Sequence, residues 1–217
     1  MKYAFSTNAY RRFTLEEALR SIAEAGYGGV ELMADRPHVF PADLGEGDGP
    51  RLRALIAEAG LEISNVNAFM MCAVEDFWHP SWIEVDPDYR ALRVEHTLRS
   101  LELAAELGAP SISTEPGGPL PAGMTREEGL SLFLDGLHTC LERAEALGVD
   151  LAVEPEPGLL VETSQQFLDL SARIDSPRFG LNFDMGHLFC VGEDTPEAVR
   201  TLAASLRHVH PEDIPAD

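Results

Sequence analysis

At 217 residues the chain fits one large domain or two small ones, within the range of a single α/β barrel. Apolar residues at 45% and charged residues at 24% exclude a disordered chain, and no run approaches the ~20 apolar residues of a membrane span. With 37 Asp+Glu against 16 Lys+Arg the net charge is −21, a field that opposes nucleic acid and anionic membrane as partners.

In chain order, the opening MKYAFSTNAY lacks the apolar run of a secretory signal and predicts a first strand at 3–8. The capping pattern Thr14–Glu17 then starts a helix over 14–25. Gly26 closes it, and a strand follows at 29–33. The same unit recurs: helix 50–59, Gly60, strand 62–68; helix 89–107, Gly108, strand 110–115; helix 125–147, Gly148, strand 149–154. Thr125–Glu128 and Thr163–Gln166 fit the same box, and Thr195–Pro196 places proline at a first helical position. Helices at 163–174 and 195–205 precede strands at 179–184 and 206–210. Segments 34–49 and 69–88 read as long functional loops. With no proline- or serine-rich linker, residues 1–217 read as one domain. Cys72, Cys140 and Cys190 are widely spaced without a CxxC pair, so reduced thiols in a cytoplasmic protein are expected.

Alternating strands and helices imply parallel strands, either in a doubly wound sheet or in a barrel. Residue parity separates the two. One parity is small or polar at the strand ends: Ser6/Asn8, Glu31, Asn65/Asn67, Ser113/Glu115, Ala152/Glu154, Asn182/Asp184 and His208/His210. The other is mostly apolar, as in Val30/Leu32, Leu151/Val153 and Leu181/Phe183. A doubly wound sheet is covered on both faces, whereas a barrel turns one parity into its lumen. The pattern therefore predicts a (β/α)8 barrel whose polar strand ends converge at one rim. Seven strands are countable, so the eighth is expected to be missing from this sequence.

Glu154 in VEPEPG, Asp184 in NFDMGH and His210 in RHVHPED end three consecutive strands with the same parity. Two carboxylates and an imidazole at one rim suit a divalent cation such as Mn²⁺, Mg²⁺, Zn²⁺ or Fe²⁺. Any one of them taken alone is as readily a helix cap or an arginine partner.

The E-P, D-x-G-H and H-x-H-x-x-D segments, in that order, resemble the xylose isomerase-like TIM-barrel superfamily. That superfamily holds sugar and sugar-phosphate isomerases and epimerases, inosose dehydratases and type IV (AP family 2) endonucleases. The resemblance covers the chain from Met1 onward. It implies metal ligation by Glu154, Asp184 and His210, and a catalytic His187 that touches substrate or metal-bound water. It also implies a fourth ligand, a glutamate on an eighth strand that this sequence does not reach. Glu154 would then act as acid/base in a metal-dependent isomerase or epimerase of a sugar or sugar phosphate. An inosose dehydratase-like lyase could use the same groups. A type IV endonuclease is disfavoured by Asn67 and Glu115, where that branch has histidines, and by the acidic charge. A non-catalytic sugar-binding relative is the remaining alternative.

Asn8, Glu31, Asn67, Glu115 and Glu156 are expected to contact the substrate, although in the lumen such groups can also satisfy one another. His208, one layer deeper than His210, is expected to pack or to orient a ligand. His38, the cluster Phe77–Trp78–His79 and Trp82 are candidate pocket walls, and Gly117–Gly118 reads as a tight turn. Cys190 is expected to be structural. The long loops leave room for a homodimer.

Overall fold

All but one of the described α-helices begin where an oxygen-bearing side chain satisfies free N–H groups. A computed structural model describes residues 3–212. In it Thr14 and Thr125 close reciprocal boxes with Glu17 and Glu128 at the starts of α1 (Leu15–Glu24) and α4 (Arg126–Leu147). Asp86 caps α3 (Pro87–Leu107), and α2 spans Asp48–Glu58. Thr163 caps α5 (Ser164–Ser171), but Gln166 Oε1 accepts from Glu162 N–H, so that box is only half formed. A six-residue helix, α6 (Met185–Cys190), follows the sixth strand and has no counterpart in the sequence reading. The last helix, α7 (Thr195–Leu202), is capped by Asp194 rather than entered at Thr195. Gly108 and Gly148 end α3 and α4 at φ 77° and 72°, the left-handed conformation that only glycine adopts cheaply.

Seven strands alternate with these helices: β1 (Ala4–Ser6), β2 (Gly29–Met33), β3 (Glu62–Asn67), β4 (Ser111–Thr114), β5 (Asp150–Val153), β6 (Phe179–Asp184) and β7 (Leu206–His210). All neighbours are parallel and lie in the order β1-β2-β3-β4-β5-β6-β7. A doubly wound sheet reverses direction partway, whereas this order never does, so the sheet curls as a TIM barrel of seven described strands. The first strand is shorter than expected, because residues Thr7–Tyr10 turn into a 3-10 helix that carries Asn8 off the sheet.

The apolar parity packs outward. Val30, Leu32, Val66, Ile112, Leu151, Val153, Leu181 and Phe183 join Leu19, Ile22, Leu52, Ile56, Leu101, Phe133 and Phe167 of the helices in one buried cluster. Trp82 belongs to this core and not to a pocket wall. Its ring packs 5.5 Å from Phe133, and a Cβ on Gly136 would meet it at 2.8 Å.

The inner parity is polar and buried. Asn65 donates to Ser113 Oγ at 2.8 Å and accepts from Ser111 Oγ at 2.7 Å. Two register slips keep this parity aligned. Val30 pairs with Ile63 but Glu31 with Asn65, leaving Ser64 as an extra residue; Leu181 pairs with Leu206 but Asn182 with His208, leaving Arg207 extra. Such bulges re-aim the side chains beyond them. Arg207 crosses Gly180, where a Cβ would stand 2.2 Å from its Cγ, and pairs with Asp150 at 3.1 Å.

Candidate metal centre and the cavity around it

Strands β5, β6 and β7 end side by side, and their inward residues meet. His210 Nδ1 lies 2.8 Å from Glu154 Oε1 and 3.7 Å from Asp184 Oδ2. Glu154 Oε2 accepts from Asn182 Nδ2 at 2.8 Å. Asp184 does two jobs. Its Oδ1 caps α6 by accepting from the backbone N–H groups of Gly186 and His187 at 2.8 and 2.9 Å, while Oδ2 is left facing His210. That cap fixes His187, whose Nδ1 lies 3.1 Å from the Pro155 carbonyl oxygen. The other ring nitrogen, Nε2, stands 3.8 Å from Glu212.

Glu154, Asp184 and His187 each offer a ligand atom, and these atoms all lie within 4.8 Å of one another. A second group, Glu31, His208 and His210, meets the same condition, and His210 stands against both. Glu31 Oε2 receives His210 Nε2 at 2.9 Å, His208 Nε2 at 3.1 Å and Asn65 Nδ2 at 3.0 Å, and Asn67 Nδ2 reaches Oε1 at 3.3 Å. Four lumen partners therefore hold the carboxylate that the sequence reading assigned to substrate. Asn67 Oδ1 accepts from Phe69 N–H at 3.0 Å, so its amide is engaged too. Both residues nevertheless border the cavity. His208 reaches the cluster through Glu31.

The electrostatics follow from this crowding. Burial disfavours the imidazolium of His210, but Glu31 and Glu154 outweigh it and hold its pKa at about 12. Burial likewise opposes ionisation of Glu31, yet the two histidines keep its carboxyl well below the usual range. Burial raises Asp184 to about 6, with Glu154 and Glu212 adding repulsion and His187 opposing it. Glu156 rises to about 7, again chiefly through burial, with Glu154 and Asp184 contributing.

These groups open into a cavity of about 660 Å³, which Asn8 and Glu156 also line. Phe69 and Phe77, with ring centroids 5.5 Å apart, form one wall. Glu115 is not among the lining residues. It is fully buried 3.9 Å from Arg93, with Oε1 accepting from Trp82 N–H, and burial pushes its carboxyl up to about 8. The expectation of substrate contact fails because the chain after β3 folds over this strand end. Gly117 and Gly118 are needed for packing, since Cβ atoms there would meet Leu160 at 2.6 Å and Ser81 at 2.3 Å. His38 borders a separate depression, and His79 pairs with Asp76. Cys190 is exposed on α6. Asp213, in the H-x-H-x-x-D segment, lies outside the described residues. Glu212, absent from the sequence-based site, lines the cavity; its place just past β7 was the available signal.

The donor set fits a divalent cation. Carboxylate oxygens and imidazole nitrogens are the ligands such ions take. Asp184 Oδ2 faces His210 Nδ1 at 3.7 Å, and among the described residues the buried Asn182 Oδ1 has no hydrogen-bond partner.

The family description xylose isomerase-like TIM barrel matches residues 19–217. The chain belongs to this family. Among its xylose isomerase-like relatives, the fructoselysine 3-epimerase of Escherichia coli O157:H7 is 26% identical over 216 residues, covering 97% of this chain and 75% of that protein. The inosose dehydratase of Clostridium beijerinckii is 26% identical over 215 residues, 94% of this chain and 65% of that protein. A solved D-tagatose 3-epimerase-like protein superposes with a TM-score of 0.80 at 24% identity, over 98% of this chain and 76% of its own, which shows the shared barrel. Among the described residues no helix is long and apolar enough to cross a membrane.

Proposed function

We propose that the chain is a metal-dependent carbohydrate epimerase that inverts a hydroxyl-bearing carbon beside a ketone, with Glu154, Asp184 and His210 holding the cation. The observation that carries this reading is the convergence of Glu154, Asp184, His187 and His210 at one rim of the barrel, above a cavity large enough for a sugar. A divalent cation bound there would polarise a carbonyl and its neighbouring hydroxyl, acidifying the C–H between them.

The chain's own groups supply the remaining parts. Glu154 is fixed by Asn182 and His210, so its carboxylate is held in place to take a proton from carbon. His187 presents Nε2 to the cavity and can hydrogen-bond a substrate hydroxyl or carry its proton. Inversion needs a second acid on the other face of the carbon; of the described lining residues, Glu156 and Glu212 have that capacity. Asn8 lines the cavity and can bind hydroxyls, and the ring faces of Phe69 and Phe77 can flank a sugar ring. Resemblance to the fructoselysine 3-epimerase and the D-tagatose 3-epimerase-like protein supports an epimerase; resemblance to the inosose dehydratase supports a lyase on the same groups.

The test is incubation of the full chain with Mn²⁺ and a panel of ketoses and inositol ketones in D₂O, followed by NMR. Deuterium at the carbon beside the ketone together with an epimeric product is expected. Loss of water from the substrate would move the assignment to a lyase. A metal-loaded protein that exchanges no proton of any ketone would sink both.

A further inference from the structure

Carboxylates outnumber basic side chains around the cavity. Five carboxylates line the cavity: Glu31, Glu154, Glu156, Asp184 and Glu212. His210 and His187 are the basic side chains among the described lining residues, and no Arg or Lys stands there. The arginines nearby are engaged elsewhere. Arg93 is fully buried and donates to the carbonyl oxygens of Pro80, Ala68 and Phe69. Arg178 and Arg207 pair with Asp150, at the opposite end of β5 from Glu154. Arg11, Arg12 and Arg51 border the separate depression beside His38.

Anionic groups are ordinarily held by guanidinium or ammonium side chains, by a helix N-terminus or by a nest of backbone N–H groups. The helix N-terminus nearest the cluster, that of α6, already donates to Asp184 Oδ1. The glycine pair Gly117–Gly118 is packed against Leu160 and Ser81. A bound divalent cation would offset Glu154 and Asp184, and Glu31 is held by His208, His210 and two asparagines, so Glu156 and Glu212 are the carboxylates left facing the ligand.

We propose that this cavity takes uncharged or positively charged polyhydroxylated ketones and rejects their phosphorylated counterparts. The statement rests on the carbohydrate reading above and narrows it. Its cause is the ring of carboxylates around the substrate space, since like-charge juxtaposition in a partly desolvated site penalises a phosphate dianion whichever end of the sugar carries it. The aromatic wall of Phe69 and Phe77 is compatible with a neutral ring or an alkylammonium group, both of which pack on aromatic faces.

The experiment is calorimetric binding to the full chain with saturating Mn²⁺, using D-fructose, its 1-phosphate and 6-phosphate esters, and 1-amino-1-deoxy-D-fructose. Both phosphates are expected to bind at least about thirtyfold more weakly than the parent ketose, and the amine no more weakly than the parent. The gap between amine and phosphates should narrow in high salt and in Glu156→Gln. A phosphate ester that binds as tightly as the parent overturns the proposal and leaves the carbohydrate reading standing. A gap insensitive to both salt and Glu156→Gln overturns it as well, because the discrimination would then be steric. If none of the four compounds binds, the carbohydrate reading fails and the proposal falls with it.

Discussion

His210 Nε2 and Glu31 Oε2 lie 2.9 Å apart, so β7 and β2, which share no backbone ladder, are tied through the lumen. The same ring presents Nδ1 to Glu154 at 2.8 Å. A carboxylate on one nitrogen of an imidazole fixes its orientation and the availability of the other nitrogen. Glu31→Ala should therefore weaken Mn²⁺ binding by about ten- to a hundredfold in calorimetry. An unchanged affinity would show that His210 is held by other means or is not a ligand.

Asp184 separates two roles by atom. Asp184→Asn retains an oxygen to cap α6 but loses the anionic oxygen, so Mn²⁺ retention should drop sharply while the melting temperature stays close to that of the parent. Asp184→Ala loses both and should cost about 1 kcal/mol of stability as well. Elemental analysis and thermal unfolding read the two effects separately.

His187 is oriented by the Pro155 carbonyl at its ring and, through its backbone N–H, by Asp184 as the cap of α6. His187→Ala is expected to lower kcat by about a hundredfold or more, as for loss of a positioned acid/base group, while keeping the metal. Loss of metal in that variant would make His187 a ligand, a role its distances allow.

Glu115 supplies a pH signature away from the cavity. Burial holds its carboxyl at about 8, above the ordinary value of 4.5. A group with a raised folded pKa lends stability below its unfolded pKa and loses it as pH rises toward the folded one. The stability of the parent relative to Glu115→Gln should thus decline between pH 5 and pH 8. Parallel melting curves across that window would contradict the buried environment described for this side chain.

Gly180 leaves room for Arg207 to cross to Asp150. Gly180→Ala would force the arginine aside and should destabilise the fold by about 1–3 kcal/mol, measured by denaturant unfolding. A neutral result would mean that β7 adjusts without loss.

Most of the barrel was legible because its signals are local. Capping threonines, left-handed glycines and alternating polarity marked every strand from β1 to β7, and parity alone aimed Glu154, Asp184 and His210 at one rim. What escaped depended on distant partners. Asp184 read as a strand end, and the capped helix after it went unseen because six residues carry no periodicity. Glu115 has the same parity as Glu154, and only the tertiary position of Arg93 and Trp82 shows that it is sealed off. Glu31 looked like a substrate contact because nothing local says that two histidines about 180 residues away would claim its oxygen.

The two extra residues, Ser64 and Arg207, make the identity of the lumen a matter of counting. Deleting either would restore an unbroken ladder with the same partners, whereas deleting a paired residue beyond the bulge, Val66 or Val209, would send Asn67 or His210 into the apolar shell. Length changes in the long connections after β2 and β3 leave this phase untouched. A single codon lost among the paired residues at the end of β3 or β7, by contrast, turns the chemistry inside out.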